Sequence, residues 1–421
     1  MPLSLFKELK LRNLIKDCSD EKELEILLEK DSINFYCGFD PNAVSLTLGH
    51  LVQIITIYLL QKKGHKAIIL IGRATAAIGD PKEIGERNLV AENLILSNSL
   101  KIQKQFRKVL PNENLKFVDN FDWISNINVI SFLREYGKKL NLNEMLSKEI
   151  VSKRLKTGIS YAEFSYMILQ ALDFYYLYKT NNVQLQFGGS DQWGNITFGL
   201  EFIRKMKNNL NEEKNNKVFG MSIPLLLNSK GVKFGKSEKN TLWLDSKLTN
   251  PYEIYQYLLN VTDQNVINYL KTLTILDLKY ISQLEEETNN NPQKRLAQKE
   301  LSKSVIIFLY GQKIFEECIK VNKLLFFSKK KNIMQEEFDL LKKYLFFVEV
   351  KECISLADAL VKVKLSDSKN QAKKNILSRS IKIFDDVVEK IDFSLVSENA
   401  LFEKYILITK KNKFNALVIF K

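Results

Sequence analysis

A turn between an apolar strand and an apolar helix constrains this chain most. The apolar run from Ile33 to Phe39 leads into Asp40-Pro41-Asn42, and a helix-like apolar pattern begins at Leu51. Gly49 and His50 stand where that helix opens. Backbone N–H groups and the positive end of a helix dipole attract phosphate at such a position, and His50 adds a donor. The stretch predicts half of an ATP site, although an ordinary strand-to-helix connection fits it equally well when it is considered alone.

A second strand extends this stretch into a βαβ unit. The apolar run from Ala67 to Ile71 follows the helix, and Asp80 stands before Pro81 soon after its end. Two strands joined by one helix pair in parallel through a right-handed crossover, so we expect an α/β fold with a parallel sheet. Ligands of such sheets bind at the carboxyl ends of the strands, where Asp40 and Asp80 would face one crevice. The alternative for Asp80 is a turn aspartate without a binding role.

A later helix and strand carry polar residues in an apolar setting. Tyr166, Gln170 and Asp173 are spaced by four and three residues, so they share one face of the predicted helix. Buried phenol, amide and carboxylate groups need partners, which either a satisfied core network or a small zwitterionic ligand would supply. The strand from Val183 to Phe187 then ends in the run GGSDQWGN at residues 188–195. Its glycines permit a close approach of a ligand to the backbone, and its aspartate suits ribose hydroxyls.

Two basic features stand further along the chain. The run KFGKS at residues 233–237 places a lysine on either side of a glycine, in a predicted surface loop that would close on polyphosphate; an exposed basic loop is the alternative. We predict helices throughout 92–158 and 250–327. A helix from Ser368 to Leu377 has a basic face, which an RNA-binding module and a solvated charge cluster explain equally well. The basic residues of that face are Lys369, Lys373 and Lys374.

Composition narrows the class of protein. With 421 residues, of which 45% are hydrophobic, the chain is long enough for two or three domains. The formal charge of +14 favours an anionic partner, most commonly nucleic acid, although an AT-rich coding sequence also enriches lysine. Four scattered cysteines argue against a disulfide framework or structural zinc. We expect a cytoplasmic protein without a membrane partner, because no apolar run approaches ~20 residues and Met1–Asp20 lacks a signal peptide's apolar centre.

Taken together, these stretches resemble bacterial-type tyrosyl-tRNA synthetases, of the class I tyrosine and tryptophan subclass, from end to end. Residues 41–50 resemble the "HIGH" signature, residues 188–195 the family's GGSDQWGN block, and residues 233–237 the "KMSKS" loop. The resemblance implies a tyrosine–tRNA ligase, which activates L-tyrosine with ATP and passes it to the 3′ end of tRNA(Tyr). It also implies Mg²⁺ with the ATP, no tightly bound cofactor, and a homodimer.

The resemblance divides the chain into an α/β catalytic domain and accessory domains. It implies a Rossmann-like parallel-sheet catalytic domain (1–228), the KFGKS loop and a connection (229–247), a helical anticodon-side domain (248–327), a linker (328–349), and a small α+β RNA-binding module similar to that of ribosomal small-subunit protein four (350–421).

Single residues acquire roles where they match the family's motifs. L-tyrosine is assigned to Tyr36, Asp80, Tyr166, Gln170, Asp173 and Gln192. ATP is assigned to Gly38, Asp40, Asn42, Gly49, His50, Gly189, Asp191, Lys236 and Ser237. Catalysis is assigned to Thr47, His50, Lys233 and Lys236, and RNA binding to Lys369, Lys373 and Lys374. Tyr36 and Asp173 would hold the substrate phenol, and catalysis would be positioning plus stabilisation of phosphate charge, without a nucleophilic residue.

Two positions depart from the family's pattern. Thr47 stands where the signature has its first His, and Asn42 where many members have Thr. Because one lost donor to the transition state costs about 2.7 to 4 kcal/mol, these changes imply either a slow enzyme or mutual compensation. We do not carry the family's phosphate-side lysine onto Lys82, because the segment 80–87 is one residue shorter than usual.

Two rival interpretations remain. A tryptophanyl enzyme of the same subclass is disfavoured by Tyr36 and Asp173, a pair suited to a phenolic hydroxyl. A non-catalytic RNA-binding protein derived from a synthetase is disfavoured by the retained His50, Lys233 and Lys236.

Overall fold

The computed structural model describes residues 3–81, 85, 90–110, 115–210, 217–226 and 241–421. These residues form two compact units. The first comprises Met1–Thr249 and Tyr257–Leu309, and the second comprises Asn250–Gln256 and Tyr310–Lys421. The helical stretch predicted at 250–327 is therefore divided between the two units. Within the described ranges, no helix is both long enough and apolar enough to cross a membrane.

The first unit is built on a six-stranded sheet. Its strands are β1 (Asp17–Cys18), β2 (Asn34–Phe39), β3 (Lys66–Ile71), β4 (Leu115–Asp119), β5 (Val183–Gly189) and β6 (Phe219–Ile223). They lie in the order β1-β6-β5-β2-β3-β4, and all neighbours are parallel except β1, which pairs antiparallel with β6. The predicted βαβ unit is confirmed, with Asn34 opposite Lys66 and Phe39 opposite Ile71.

Helices cover this sheet and continue beyond it. They are α1 (Leu5–Leu11), α2 (Glu21–Lys30), α3 (Leu51–Lys62), α4 (Arg73–Ile78), α5 (Glu92–Val109), α6 (Phe121–Ile124), α7 (Val129–Ser131), α8 (Leu142–Leu146), α9 (Glu149–Leu155), α10 (Tyr161–Asn181), α11 (Trp193–Leu210), α12 (Pro251–Leu259), α13 (Asp263–Leu273), α14 (Leu278–Asn290) and α15 (Leu296–Tyr310). Helix α12 contributes to both units, and α15 ends at the boundary between them.

Local sequence explains where the helices near the site begin and end. Helix α3 is apolar on nearly all sides and is buried accordingly. Helix α10 begins after Ser160, whose hydroxyl accepts a hydrogen bond from the Glu163 N–H at 3.2 Å, and it ends at Asn182, which has a left-handed backbone (φ 49°). The prediction of a wholly helical stretch at 92–158 is wrong at β4, a five-residue strand at the edge of the sheet. Such a short strand leaves little periodic signal in sequence.

The second unit combines helices with small sheets. Its elements after α15 are α16 (Gln312–Phe326), α17 (Gln335–Tyr344), β7 (Phe346–Val350), β8 (Cys353–Ser355), α18 (Leu356–Lys362), α19 (Lys369–Leu377), β9 (Ile381–Ile383), β10 (Asp386–Val387), β11 (Ser394–Val396), β12 (Tyr405–Lys410) and β13 (Phe414–Phe420). One sheet has the order β10-β9-β12-β13-β7, and β11 pairs with β8 in another. The Phe338 ring stacks on Tyr405 at 4.5 Å between centroids, which joins α17 to the sheet.

The segment 328–349, expected to be a linker, packs into this second unit. It holds α17 and most of β7, and β7 pairs in parallel with β13. The lysine-rich stretch at its start is also partly buried, because the Lys330 ammonium donates to the Thr409 hydroxyl at 2.7 Å. Lysine content therefore did not mark a solvated connection here.

Candidate active site

A cavity of about 300 Å³ opens at the carboxyl ends of β2, β3 and β5. This is where an open parallel sheet places its ligands, and the volume is at the lower end of the range for small-molecule sites. The structure brings together here ten of the residues that the sequence singled out. They are Tyr36, Gly38, Asp40, Asn42, His50, Asp80, Tyr166, Gln170, Asp173 and Gln192.

One end of the cavity holds a buried carboxyl group. Asp173 is 1% exposed, and its two oxygens accept hydrogen bonds from Trp123 Nε1 at 2.9 Å and from Asn120 Nδ2 at 3.0 Å. Burial raises the pKa of Asp173 to about 8, against these two hydrogen bonds, which act to lower it. Tyr36 is equally buried, and the neighbouring Asp173 charge adds to the effect of burial in raising the pKa of its phenol well above the ordinary range.

A chain of hydrogen bonds connects this end of the cavity to its centre. Asn120 donates to Thr75 Oγ1 at 3.1 Å, and the Thr75 hydroxyl donates to Asp40 Oδ1 at 2.7 Å. The Tyr166 hydroxyl donates to the other oxygen of Asp40 at 2.9 Å. Gly72 makes this geometry possible, because a Cβ there would lie 2.1 Å from Asp40 Oδ1. Asp40 is thereby held by side chains from two separate helices, α4 and α10.

Sequence reasoning missed Asn120, Trp123 and Thr75. Asn120 directly follows β4 and Trp123 lies in α6, the next helix, but we predicted a helix in place of β4. A strand prediction at 115–119 would have placed both residues at the carboxyl edge of the sheet, beside Asp173.

A second polar cluster lies around Asp80. Gln192 Nε2 donates to Asp80 Oδ2 at 2.8 Å, and Asn195 Nδ2 lies 3.3 Å from Asp80 Oδ1. Asn195 also donates to Gln192 Oε1 at 3.2 Å. Asp80 follows α4, the helix after β3, and Gln192 and Asn195 lie shortly after β5, so this cluster connects the segments that follow these two strands.

Three buried polar atoms that face this region have no hydrogen-bond partner within the described part of the chain. They are Tyr36 Oη, Gln170 Oε1 and Gln186 Oε1, and all three residues line the cavity. An unpaired buried polar atom is costly, so such atoms mark places where a ligand supplies the missing partner. Two amide oxygens suit an ammonium group, and a phenol hydroxyl suits another hydroxyl. Gln186 was not predicted, because a single glutamine in a strand carries no sequence signal.

His50 enters the cavity as a neutral hydrogen-bonding group. Burial lowers its pKa to about 4, although the Asp191 charge acts in the opposite direction. The Thr47 N–H donates to His50 Nδ1 at 3.0 Å, and the Thr47 hydroxyl lies 2.9 Å from the same atom. The neutral ring therefore carries its proton on Nε2.

Gly38 lines the cavity from the middle of β2. Among the described residues, a Cβ at this position would meet Leu70 Cδ2 alone, at 3.7 Å, so this part of the protein leaves room for a side chain. The space left by the glycine is therefore available to a ligand in the cavity.

Other predicted residues lie beside the cavity rather than on its wall. Thr47 and Gly49 belong to the turn that opens α3, and Gly189 ends β5. Asp191 lies with Asp80 in an adjoining cavity of about 570 Å³, which Lys148 and Lys153 also line. Lys233, Lys236 and Ser237 lie outside the described residues.

The predicted basic face of the second unit is present on α19. Ser368 caps this helix by accepting a hydrogen bond from the Gln371 N–H at 3.2 Å. Lys369, Lys373 and Lys374 are exposed, and Lys369 forms an ion pair with Asp358 at 2.6 Å. An exposed pair of this kind is weak, so it does not remove Lys369 from contact with an anionic partner.

Comparison with known proteins covers nearly the whole chain. Residues 28–321 match the family model described as "tRNA synthetases class I (W and Y)", and residues 337–418 match the model of the "Tyrosine–tRNA ligase SYY-like C-terminal domain". The tyrosine–tRNA ligase of Phytoplasma mali is 56% identical over 421 residues, with both chains fully covered. Tyrosine–tRNA ligase 1 of Bacillus subtilis is 40% identical over 425 residues, covering 99% of this chain and 100% of that one.

Solved structures show the same similarity. The C-terminally truncated mitochondrial tyrosyl-tRNA synthetase of Coccidioides posadasii is 30% identical and superposes with a TM-score of 0.67, over 75% of this chain and 91% of that one. The corresponding truncated enzyme of Aspergillus nidulans is 27% identical, with a TM-score of 0.69 over 77% and 94% of the two chains.

Proposed function

The chain belongs to the class I tRNA synthetases of the tryptophan and tyrosine group, as a tyrosine–tRNA ligase, and from this premise we infer its reaction and its site. The enzyme activates L-tyrosine with ATP and transfers the tyrosyl group to tRNA(Tyr). The observation that carries this inference is the buried pair of Tyr36 and Asp173, in which a phenol hydroxyl that has no hydrogen-bond partner among the described residues stands near a carboxyl group.

The substrate phenol is bound between Tyr36 and Asp173. The Asp173 oxygens are already oriented by Asn120 and Trp123, so this side chain accepts a hydrogen bond from the substrate hydroxyl without reorganising. The Tyr36 hydroxyl gains a partner that none of the described residues provides.

The substrate ammonium is bound where acceptors converge. Gln170 Oε1 has no hydrogen-bond partner among the residues that the structure describes, and Gln170 lies on the same helix face as Tyr166 and Asp173. Asp80 adds negative charge on the other side of the cavity, with Gln192 beside it for the substrate carboxylate. Gln186 Oε1 joins this set of acceptors as a residue that the sequence did not reveal.

ATP enters with Mg²⁺ on its phosphates and binds around Gly38, Asp40, Asn42, Gly49, His50, Gly189, Asp191 and Ser237. The tyrosine carboxylate oxygen attacks the α-phosphorus, the bond from that phosphorus to the bridging oxygen breaks, and pyrophosphate leaves. The terminal ribose hydroxyl of the tRNA then attacks the tyrosyl carbonyl carbon, and AMP leaves. His50, Thr47, Lys233 and Lys236 assist by positioning and by stabilising phosphate charge rather than by forming a covalent bond.

Each part of the chain has a proposed role, and the parts after the catalytic domain serve the tRNA. We assign residues 1–228 to catalysis, 229–247 to the closing loop, 248–327 to the anticodon side, and 350–421 to RNA binding, with 328–349 folded against the last. Lys369, Lys373 and Lys374 present the positive face that would contact tRNA phosphates.

A homodimer would cover an apolar surface of the first unit. Val129 and Ile130 are 70% and 71% exposed, and Leu133, Leu142 and Tyr161 follow on neighbouring elements. Such a run of large exposed apolar side chains is typical of an interaction surface. We place the enzyme in the bacterial cytoplasm, in keeping with the bacterial relatives of 40–56% identity.

The decisive experiment is tyrosine-dependent exchange of pyrophosphate into ATP, followed by charging of tRNA(Tyr). Exchange with tyrosine, but not with phenylalanine or tryptophan, is expected. Asp173→Ala should abolish the preference for tyrosine, whereas Asp277→Ala, which removes only the cap of α14, should keep it. Exchange with tryptophan, or none with any amino acid, would contradict the proposal.

A further inference from the structure

His50 is held by two groups of a single residue. The Thr47 N–H and the Thr47 hydroxyl both lie within hydrogen-bonding distance of His50 Nδ1, at 3.0 and 2.9 Å. An N–H group donates only to a ring nitrogen that carries no proton, so Nδ1 is the acceptor. In this tautomer the hydroxyl can only donate to Nδ1, so it shares the single lone pair of that atom with the N–H.

The backbone of Thr47 is itself fixed, so its N–H cannot easily turn away. Thr47 forms an antiparallel bridge with Trp243, and the next residue, Leu48, donates its N–H to the Leu242 carbonyl at 2.8 Å. On its other side the imidazole packs against the Phe39 ring, 6.1 Å between centroids. The ring is therefore constrained both in orientation and in the position of its proton.

We propose that Thr47 is a positioning residue for His50: its hydroxyl and its backbone N–H hold the ring in the form protonated at Nε2, and so keep a neutral donor directed at the nucleotide. Thr47 itself does not line the cavity, whereas His50 does, so Thr47 acts through His50 rather than on the pyrophosphate. The kinetic consequence rests on the proposed function; the state of the imidazole ring does not.

The composition of the chain permits a direct test. It contains two histidines, so ¹⁵N-histidine labelling gives the ring signals of His50 and His65 alone. His65 is 1% exposed, and its Nδ1 accepts the Ile33 N–H at 3.3 Å, which makes it an internal reference. Thr47→Val keeps the branched shape and the backbone N–H but removes the hydroxyl, and Thr47→Ser restores it.

We expect Thr47→Val to shift the His50 Nδ1 resonance and raise the fraction protonated at Nδ1, with His65 unchanged. The rate of adenylate formation should fall by about twofold to tenfold, the effect of one hydrogen bond, with the KM for tyrosine unchanged. Thr47→Ser should restore both. Unchanged His50 resonances in Thr47→Val would overturn the proposal.

The same Thr47 substitution, made in the His50→Gln enzyme, tests whether Thr47 acts through His50 or contacts the phosphates directly. In His50→Gln the side chain still offers an N–H donor but has no ring nitrogen for Thr47 to hold. Thr47→Val should then have no further effect on the rate. A full twofold to tenfold loss in that background would mean that Thr47 contacts the substrate itself, and the proposal would fail. If the wild type formed no adenylate, the proposed function would fail while the ¹⁵N result still decided the role of Thr47.

Discussion

Tyr36→Phe should make the ligand-free protein more stable and the enzyme worse. The Tyr36 hydroxyl is buried and unpartnered within the described part of the chain, which costs about 1 to 3 kcal/mol. Phenylalanine removes this cost and keeps the ring in contact with Phe174, 5.4 Å between centroids. We expect the free energy of unfolding to rise by up to the same amount.

The same substitution that stabilises the free protein should weaken the binding of tyrosine. In the complex that we propose, the substrate hydroxyl forms a hydrogen bond with the Tyr36 hydroxyl, which removes the cost of leaving that group unpaired. The variant has no hydroxyl at this position for the substrate to pair with. Its kcat/KM for tyrosine should therefore fall by about 5-fold to 150-fold, the range equivalent to 1 to 3 kcal/mol. Phenylalanine leaves the hydroxyl unpaired in any case, so its kcat/KM should stay constant.

Thermal unfolding with and without saturating tyrosine, together with pyrophosphate exchange for both amino acids, measures the two effects. Tyr269→Phe is the matched control, because this buried tyrosine shares a hydrogen bond with the Tyr257 hydroxyl. The control should lose about 1 kcal/mol of stability and keep its preference for tyrosine. A loss of stability in Tyr36→Phe as large as in the control, or an unchanged preference, would refute the reasoning.

Three further predictions concern charge, space and RNA. Burial raises the pKa of Asp173 from 3.8 to about 8, so the ratio of kcat/KM for tyrosine over phenylalanine should rise with pH and level off above about 8. The pKa of Asp173 is higher in the folded protein than in the unfolded chain, so the contribution of this group to stability is fully present below pH 3.8. That contribution should be lost as the pH rises through 8, which measurements of unfolding at a series of pH values would show. Gly38→Ala should raise the KM for ATP without loss of stability, whereas Gly72→Ala should destabilise the fold in thermal unfolding. Lys373→Glu with Lys374→Glu should weaken tRNA binding and its salt dependence in filter-binding assays, with pyrophosphate exchange unchanged.

The sequence predicted those features in which apolar or polar residues recur at the regular spacing of a helix or a strand. The strand–helix–strand unit at residues 34–71 was predicted because each element has its own apolar pattern, and the shared face of Tyr166, Gln170 and Asp173 follows from helical spacing alone. The carboxyl ends of parallel strands then had to meet, which placed Asp40 and Asp80 in one crevice.

The remaining features depend on contacts between distant parts of the chain. Tyr166 donates to Asp40 across 126 residues, and Asn120 reaches Asp173 across 53. No periodicity within one element reveals such pairs. The partners of Asp173 were lost together with β4, whose five residues were too few to distinguish it from the helices on either side.

The charges of the cavity already favour different positions for the two substrates, tyrosine and ATP. Asp40 and Asp80 both line it, so it attracts the ammonium group of an amino acid and repels phosphate. In the complex that we propose, the polyphosphate of ATP lies on the side of the cavity where the neutral His50 donates without adding charge. The net positive charge that this end requires is the role we propose for the lysines of the KFGKS loop. We therefore propose that the negative charges of the pocket favour the binding of tyrosine, and that they make stabilisation of the phosphates the difficult step, which the lysines of the loop complete.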